Sequence, residues 1–286
     1  MISDITLGQF FPGYSPLHRL DPRTKIILAV LFILIVFIAS NPASFFLVFL
    51  FTIALVGIGR ISFKVILKSI KPLVFVLIFT SLINVFMTKG EAEPLFQLGI
   101  VKIYTEGLIK AVFMSLRVVL LIIGTSMLLT YTTSPIALTD GIESLLSPLK
   151  YIGLPVHSFA MMMSIALRFI PTLIEETEKI MNAQKSRGAD FSEGGLIKRA
   201  KALIPLLVPL FVSAFKRADE LATAMECRCY RGDKNRTKLV KLTYRFRDFL
   251  WMLILMAFLA VIIYARFLPD NIIDISNFTR IIFFKI

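Results

Sequence analysis

The stretch from Asn182 to Asp233 contains Ser186-Arg187-Gly188-Ala189-Asp190 and, later, Tyr230-Arg231-Gly232-Asp233, and its reading decides the fold. Each Arg-Gly closes a segment that begins apolar and ends charged, Pro155–Arg187 and Gly195–Arg231. Set 44 residues apart, Glu176 falls on Glu220, Ala183 on Cys227, Arg187 on Arg231 and Gly188 on Gly232. One Arg-Gly alone reads as a helix stop, with Gly in the left-handed conformation and a cation complementing the helix dipole. Two copies read as one device used twice. The Gly ends each helix and leaves the Arg projecting, and a planar guanidinium can grip a carboxylate or carbonyls on another protein. The pair is therefore expected to be two lever-like helices. Their apolar halves lie against or in a membrane, and their charged tips face a cytoplasmic partner.

Composition supports this reading. The 286 residues are 57% hydrophobic with a mean hydropathy of +0.80, too apolar for a soluble domain. The net charge of +13 suggests nucleic acid only in a soluble protein; here cytoplasmic loops rich in Lys and Arg account for it, and no nucleic-acid partner is expected. Cys227 and Cys229 are too close for an ordinary disulfide and too few for a metal site, so they read as incidental. His18 and His157 are assigned no role. The first twenty residues lack an apolar core, so no signal peptide is expected.

In chain order, Asp21-Pro22 starts a helix, with an acceptor at the N-cap and a ring at the first helical position. Apolar spans are expected at 26–40 and 43–57, the second opened by Asn41-Pro42. Segment 59–71 carries Arg60, Lys64, Lys68 and Lys71 without an acid and reads as cytoplasmic. A third span covers 72–87, with Asn84 bonding to a neighbouring helix. Segment 88–106 suits the outside. The fourth span, 107–131, holds Arg117, either a functional residue or a structural contact to Asn84 or backbone carbonyls. Residues 132–248 hold 18 of the 32 Lys and Arg and are placed inside the cell. Within them Val156–Ile174 is nearly all apolar apart from Arg168, and Pro171 is expected to kink the helix. The fifth span is 248–267. The fold class is thus an all-α integral membrane protein, with about five transmembrane helices and a cytoplasmic module of long helices between the fourth and fifth. The divisions are 1–131, 132–247 and 248–286, with the N-terminus inside.

No catalytic constellation appears: no Asp-rich metal motif, no paired His at helical spacing, no Gly-rich phosphate loop, no nucleophile with a suitable His. A membrane-embedded enzyme is disfavoured on that ground. A self-sufficient channel or secondary transporter would want polar groups across several spans, and the first two spans offer none.

The chain resembles the transmembrane T component of energy-coupling factor (ECF) transporters, ABC-type importers of vitamins and transition metals. The matching pieces are Ser15-Pro16-Leu17-His18-Arg19-Leu20-Asp21-Pro22-Arg23-Thr24-Lys25, Leu167-Arg168-Phe169-Ile170-Pro171, Ala183-Gln184-Lys185-Ser186-Arg187-Gly188 and Ala224-Met225-Glu226-Cys227-Arg228-Cys229-Tyr230-Arg231-Gly232. The family commonly has Ala where Ser186 stands, and the tail after Pro269 has no counterpart. The resemblance implies a bacterial cytoplasmic-membrane subunit, not itself an enzyme, that joins two ABC-type ATPase subunits to a substrate-binding S component. It needs no cofactor of its own, since ATP and Mg belong to the ATPases. Ser186, Arg187, Gly188, Tyr230, Arg231 and Gly232 are the implied ATPase-docking residues. The apolar surface of the coupling helices is implied to receive the S component. Met161, Met162, Met163, Leu203, Leu206, Leu207 and Leu210 are its candidate residues, against ordinary packing or lipid contact. Asp21, Pro22, Arg23, Arg117, Arg168 and Pro171 are structural or intramembrane candidates.

Overall fold

Pro22 and Pro42 each sit at a helix start, where a missing N–H costs nothing. They open α1 (Pro22–Ile38) and α2 (Pro42–Gly59). The Asp21 carboxylate caps α1 by accepting from the Arg23 N–H at 2.9 Å. In this computed structural model the described residues are 10–88, 96–98, 101–189, 191, 195–232 and 242–267. Asp190, Asp233 and the tail after Pro269 lie outside them.

The segment 59–71, read as cytoplasmic, is mostly helix. α3 (Phe63–Ile70) runs through a short 3₁₀ turn, Lys71–Leu73, into α4 (Val74–Met87). Ile66 is buried and gives the helix an inner face. The expected outside segment contains a small antiparallel hairpin, β1 (Phe96–Leu98) on β2 (Val101–Ile103), with Gln97 opposite Lys102. α5 (Thr105–Thr125) continues as a π-helical turn, Ser126–Thr130. Then come α6 (Pro135–Leu146), a 3₁₀ turn at Ser147–Ile152, α7 (Val156–Ser186), α8 (Leu196–Cys227) and α9 (Phe246–Phe267). Pro171 does not interrupt α7, nor do Pro205 and Pro209 interrupt α8.

The described residues divide between two compact units, one within Pro135–Lys241 and the other within Phe10–Ser134 and Leu242–Ile286. In the second unit α1 packs against α2, α5 and α9. Phe32 and Val36 of α1 and Val48 of α2 are fully buried, and Phe51 stacks on Phe258 with centroids 4.5 Å apart. Gly124 lets Phe32 in: a Cβ there would stand 2.1 Å from the Phe32 ring. Val30, Leu34 and Phe37 on the far side of α1 are exposed. A helix with core on one side and an apolar exterior on the other needs no polar face, which is why α1 and α2 read as apolar all round.

Among the described residues, five helical runs are long and apolar enough to cross a membrane: Pro42–Gly59, Phe63–Met87, Thr105–Thr130, Val156–Ser186 and Phe246–Arg266. The expected number holds but the set differs. α1, with 17 residues, is short against the ~20 a crossing needs. α7 qualifies by length and composition alone, through its apolar half.

Several intramembrane polar groups find partners nearby, while Ser44 Oγ and Arg117 Nε are buried without one. Arg117 donates to the Ala39 carbonyl at 2.8 Å and lies over the Phe45 ring at 5.2 Å. Of the partners expected for it, the backbone carbonyl is the one it takes. Asn84 bonds to no neighbouring helix through its amide nitrogen, which donates to Thr80 O in its own helix at 2.8 Å. The link between α4 and α5 is Ser81 Oγ to Ser115 Oγ, at 2.7 Å.

Candidate functional site

The two lever tips end in the same backbone turn. At α7 the N–H of Gly188 donates to Lys185 O at 2.9 Å and that of Ala189 to Gln184 O at 3.0 Å. Gly188 has φ +84°. At α8 the N–H of Cys229 donates to Glu226 O at 2.8 Å and that of Tyr230 to Met225 O at 3.1 Å, with Cys229 at φ +57°. Both are helix stops in which a left-handed residue lets two N–H groups turn back onto the last carbonyls.

This geometry corrects the register. The left-handed positions Gly188 and Cys229 are 41 residues apart, not 44. Arg187 is the C-cap of α7, and the C-cap of α8 is Arg228. Arg231 therefore does not lie in the last turn of its helix, which ends at Cys227. It follows in a further bend that closes with Gly232 at φ +74°. Cys229 is not incidental either, since it holds the place that Gly188 holds on α7. Ser186, Arg187, Gly188 and Arg231 are exposed; Tyr230 and Gly232 are half-buried.

α7 and α8 are joined midway. Glu176 accepts from the Arg217 guanidinium at 2.9 Å and from the Ser213 hydroxyl. Glu176 and Arg217 are themselves 41 residues apart, so the ion pair links equivalent positions of the two levers. A 44-residue alignment hides this by setting Glu176 on Glu220.

The bond also sorts the apolar candidates. Leu206, Leu210, Ser213 and Arg217 follow a 4-3-4 spacing and share one face of α8. Ser213 and Arg217 place that face toward α7. Leu206 on that face is 6% exposed, which leaves it little surface to offer a partner. Leu210 is half-buried, while Leu203 and Leu207 are exposed. On α7 Met162 and Met163 are exposed and Met161 is half-buried. Arg168 is exposed on α7 and lines an open cleft of about 580 Å³ together with Arg228 and Arg231.

In the other unit, Asp21, Pro22 and Arg23 belong to a buried polar knot. Asp248, only 3% exposed, accepts the N–H of Asp21 at 2.8 Å and that of Arg245 at 2.7 Å. Lys25 is 2% exposed and donates to Thr132 O at 2.7 Å and His18 O at 3.3 Å. Arg23 lies over the Tyr244 ring. His18 pins the N-terminal segment, with its Nδ1 2.7 Å from Ser15 Oγ and its Nε2 2.9 Å from Phe11 O. His157 pairs with Glu143 at 2.8 Å within the lever unit. Lys25, Asp248 and Thr132 are not singled out by the sequence. The one available signal is the polarity of Lys25 and Asp248 at the ends of apolar runs. Among the described residues no group of three or more His, Cys, Asp or Glu could hold a metal ion.

Residues 13–239 match the sequence profile of the CbiQ family, described as cobalt transport protein. Over 266 residues the chain is 51% identical to the energy-coupling factor transporter transmembrane protein EcfT of Clostridium kluyveri, covering 93% of this chain and 98% of that one. It is 50% identical to the protein of the same name from Bacillus subtilis, over 93% of this chain and all of that one. To that of Heliobacterium modesticaldum it is 55% identical over 249 residues, 87% of this chain and 92% of the other.

Proposed function

We propose, from the premise that this chain belongs to the CbiQ family of transport proteins, that it is the energy-coupling membrane subunit of an ECF transporter and carries motion between two cytoplasmic ATPase subunits and a membrane S component. The observation that carries this reading is the repeated tip. Two long helices, bonded to each other at Glu176 and Arg217, end in the same turn and present exposed arginines there, Arg187 within the turn and Arg231 just beyond it. An apolar-to-charged helix of roughly 45–50 Å is long enough to connect a membrane-embedded partner with one outside the membrane. ATP and Mg are held by the ATPases, and hydrolysis takes place there. The exposed Met162, Met163, Leu203 and Leu207 receive the S component, which chooses the substrate. Met suits a surface that must fit varied partners. The subunit lies in the bacterial cytoplasmic membrane with its N-terminus and lever tips inside, as the 18 basic residues of segment 132–248 favour.

The test is a pull-down of both ATPases by the wild type, Arg187→Ala, Arg231→Ala and the double variant, with uptake measured alongside. Truncating an arginine that meets a buried carboxylate costs about 2–5 kcal/mol of docking energy, or roughly 30-fold to several thousand-fold in affinity. Each single variant is expected to weaken one ATPase, and the double variant to lose both. A double variant that binds both and transports normally would reduce the motifs to helix ends.

A further inference from the structure

The two docking points differ in surroundings. The cleft beside the second Arg-Gly is shared between levers: Met161, Ile165 and Arg168 come from α7, and Met225, Arg228 and Arg231 from the end of α8. Three arginines therefore line one open volume of about 580 Å³. No Asp or Glu is among the described residues that line it. The side chains of Arg168, Arg228 and Arg231 are all exposed, so each is reachable from outside. Three like charges converging on a cleft with low-dielectric walls repel one another and concentrate a positive potential there. A partner carrying matching negative charge relieves that repulsion, and each guanidinium can hold a carboxylate with two parallel hydrogen bonds.

From this we propose that the cleft receives a protein segment bearing at least two carboxylates, belonging to the ATPase that docks at Arg231, and that Arg168 and Arg228 are recognition residues for that subunit alone. The inference rests on the docking role proposed for the Arg-Gly motifs. The apolar walls favour a peptide, because Met161, Ile165 and Met225 can take the aliphatic stems of Glu side chains or a neighbouring apolar residue. The α8 wall belongs to the charged half of the lever, and Arg228 and Arg231 lie past the helix end and are exposed. A further consequence is mechanical: a segment seated there touches both levers at once, whereas one held by Arg187 grips α7.

The experiment uses the full chain in nanodiscs of zwitterionic lipid, titrated with each of its two ATPase subunits separately, comparing Arg187→Gln, Arg168→Gln, Arg228→Gln and Arg231→Gln. Arg168→Gln and Arg228→Gln are each expected to weaken, by about tenfold or more, the same ATPase that Arg231→Gln weakens. Both should leave the ATPase that depends on Arg187 within twofold, which also certifies that the variant is folded. Should Arg168→Gln lose both subunits, Arg228→Gln and the charge-retaining Arg168→Lys decide the matter by the same criterion. If Arg231→Gln weakens an ATPase while Arg168→Gln and Arg228→Gln do not, the shared cleft is refuted and the docking role stands. If Arg231→Gln has no effect either, the docking role itself fails. An effect of Arg168→Gln seen only when the discs contain anionic phospholipid would assign the cleft to a lipid phosphate and overturn the proposal.

Discussion

Gly188→Ala tests the lever tip at its most sensitive atom. At φ +84° an L-residue brings its Cβ against the neighbouring carbonyl, at a cost of about 1–2 kcal/mol. Beyond the adjacent residues nothing lies within 4 Å of the position a Cβ would take, so the penalty is purely one of backbone conformation. A loss of 1–2 kcal/mol lowers the population of the closed turn by about 5–30-fold at most. The direct readout is hydrogen exchange at the amides of Gly188 and Ala189, which the turn holds on Lys185 O and Gln184 O. Their protection should fall by that factor, and the affinity of the ATPase held at Arg187 should fall by no more than the same factor. The mirror experiment is Cys229→Gly at the α8 tip, where the residue already bears the left-handed penalty at φ +57°. After the entropy that Gly loses on folding, a gain of about 0.5–1 kcal/mol remains, and protection of the Cys229 and Tyr230 amides should rise. If Gly188→Ala keeps full protection, or Cys229→Gly loosens its turn, the assignment of these two positions as equivalent stops is wrong.

Glu176→Ala removes both the Arg217 and Ser213 bonds; because Arg217 is 38% exposed the loss is discounted to about 1 kcal/mol, read as a lowered Tm, and Ser213→Ala added on top should cost less than it does alone. Gly124→Ala should cost about 1–3 kcal/mol of stability by driving a methyl into the Phe32 ring, with Phe32→Leu restoring part of it in a denaturation series. In a background lacking Cys227 and Cys229, Asn182→Cys should resist an impermeant thiol reagent in intact cells and Thr88→Cys should react; the reverse labelling would place the N-terminus outside.

What the sequence makes legible follows from local chemistry. Asp21-Pro22 and Asn41-Pro42 announce helix starts because proline's constraints act within a few residues. Gly188 announces the end of α7 for the same reason. The second tip reads three residues too far along because a left-handed Cys carries no compositional signal, and Arg231-Gly232 stands nearby to attract the alignment. α3 is hidden by its lysines, whose spacing leaves one apolar face intact. Leu206 looks like Leu203 and Leu207, and only the α7-facing stripe through Ser213 and Arg217 separates them. The buried knot is not readable at all, because Asp21 and Asp248 meet across 227 positions of chain.

The prolines of the two levers all lie in the apolar halves: Pro171 in α7, Pro205 and Pro209 in α8. Each removes one rung of the helical hydrogen-bond ladder and lowers the local resistance to bending. The charged halves beyond, 175–186 and 216–227, contain none. Each lever is thus a stiff handle on a compliant blade. A force applied at the tip travels along the handle without loss of shape and is taken up as curvature farther back. A displacement at Arg187 then arrives at the apolar surface as a change of slope rather than as a push along the axis.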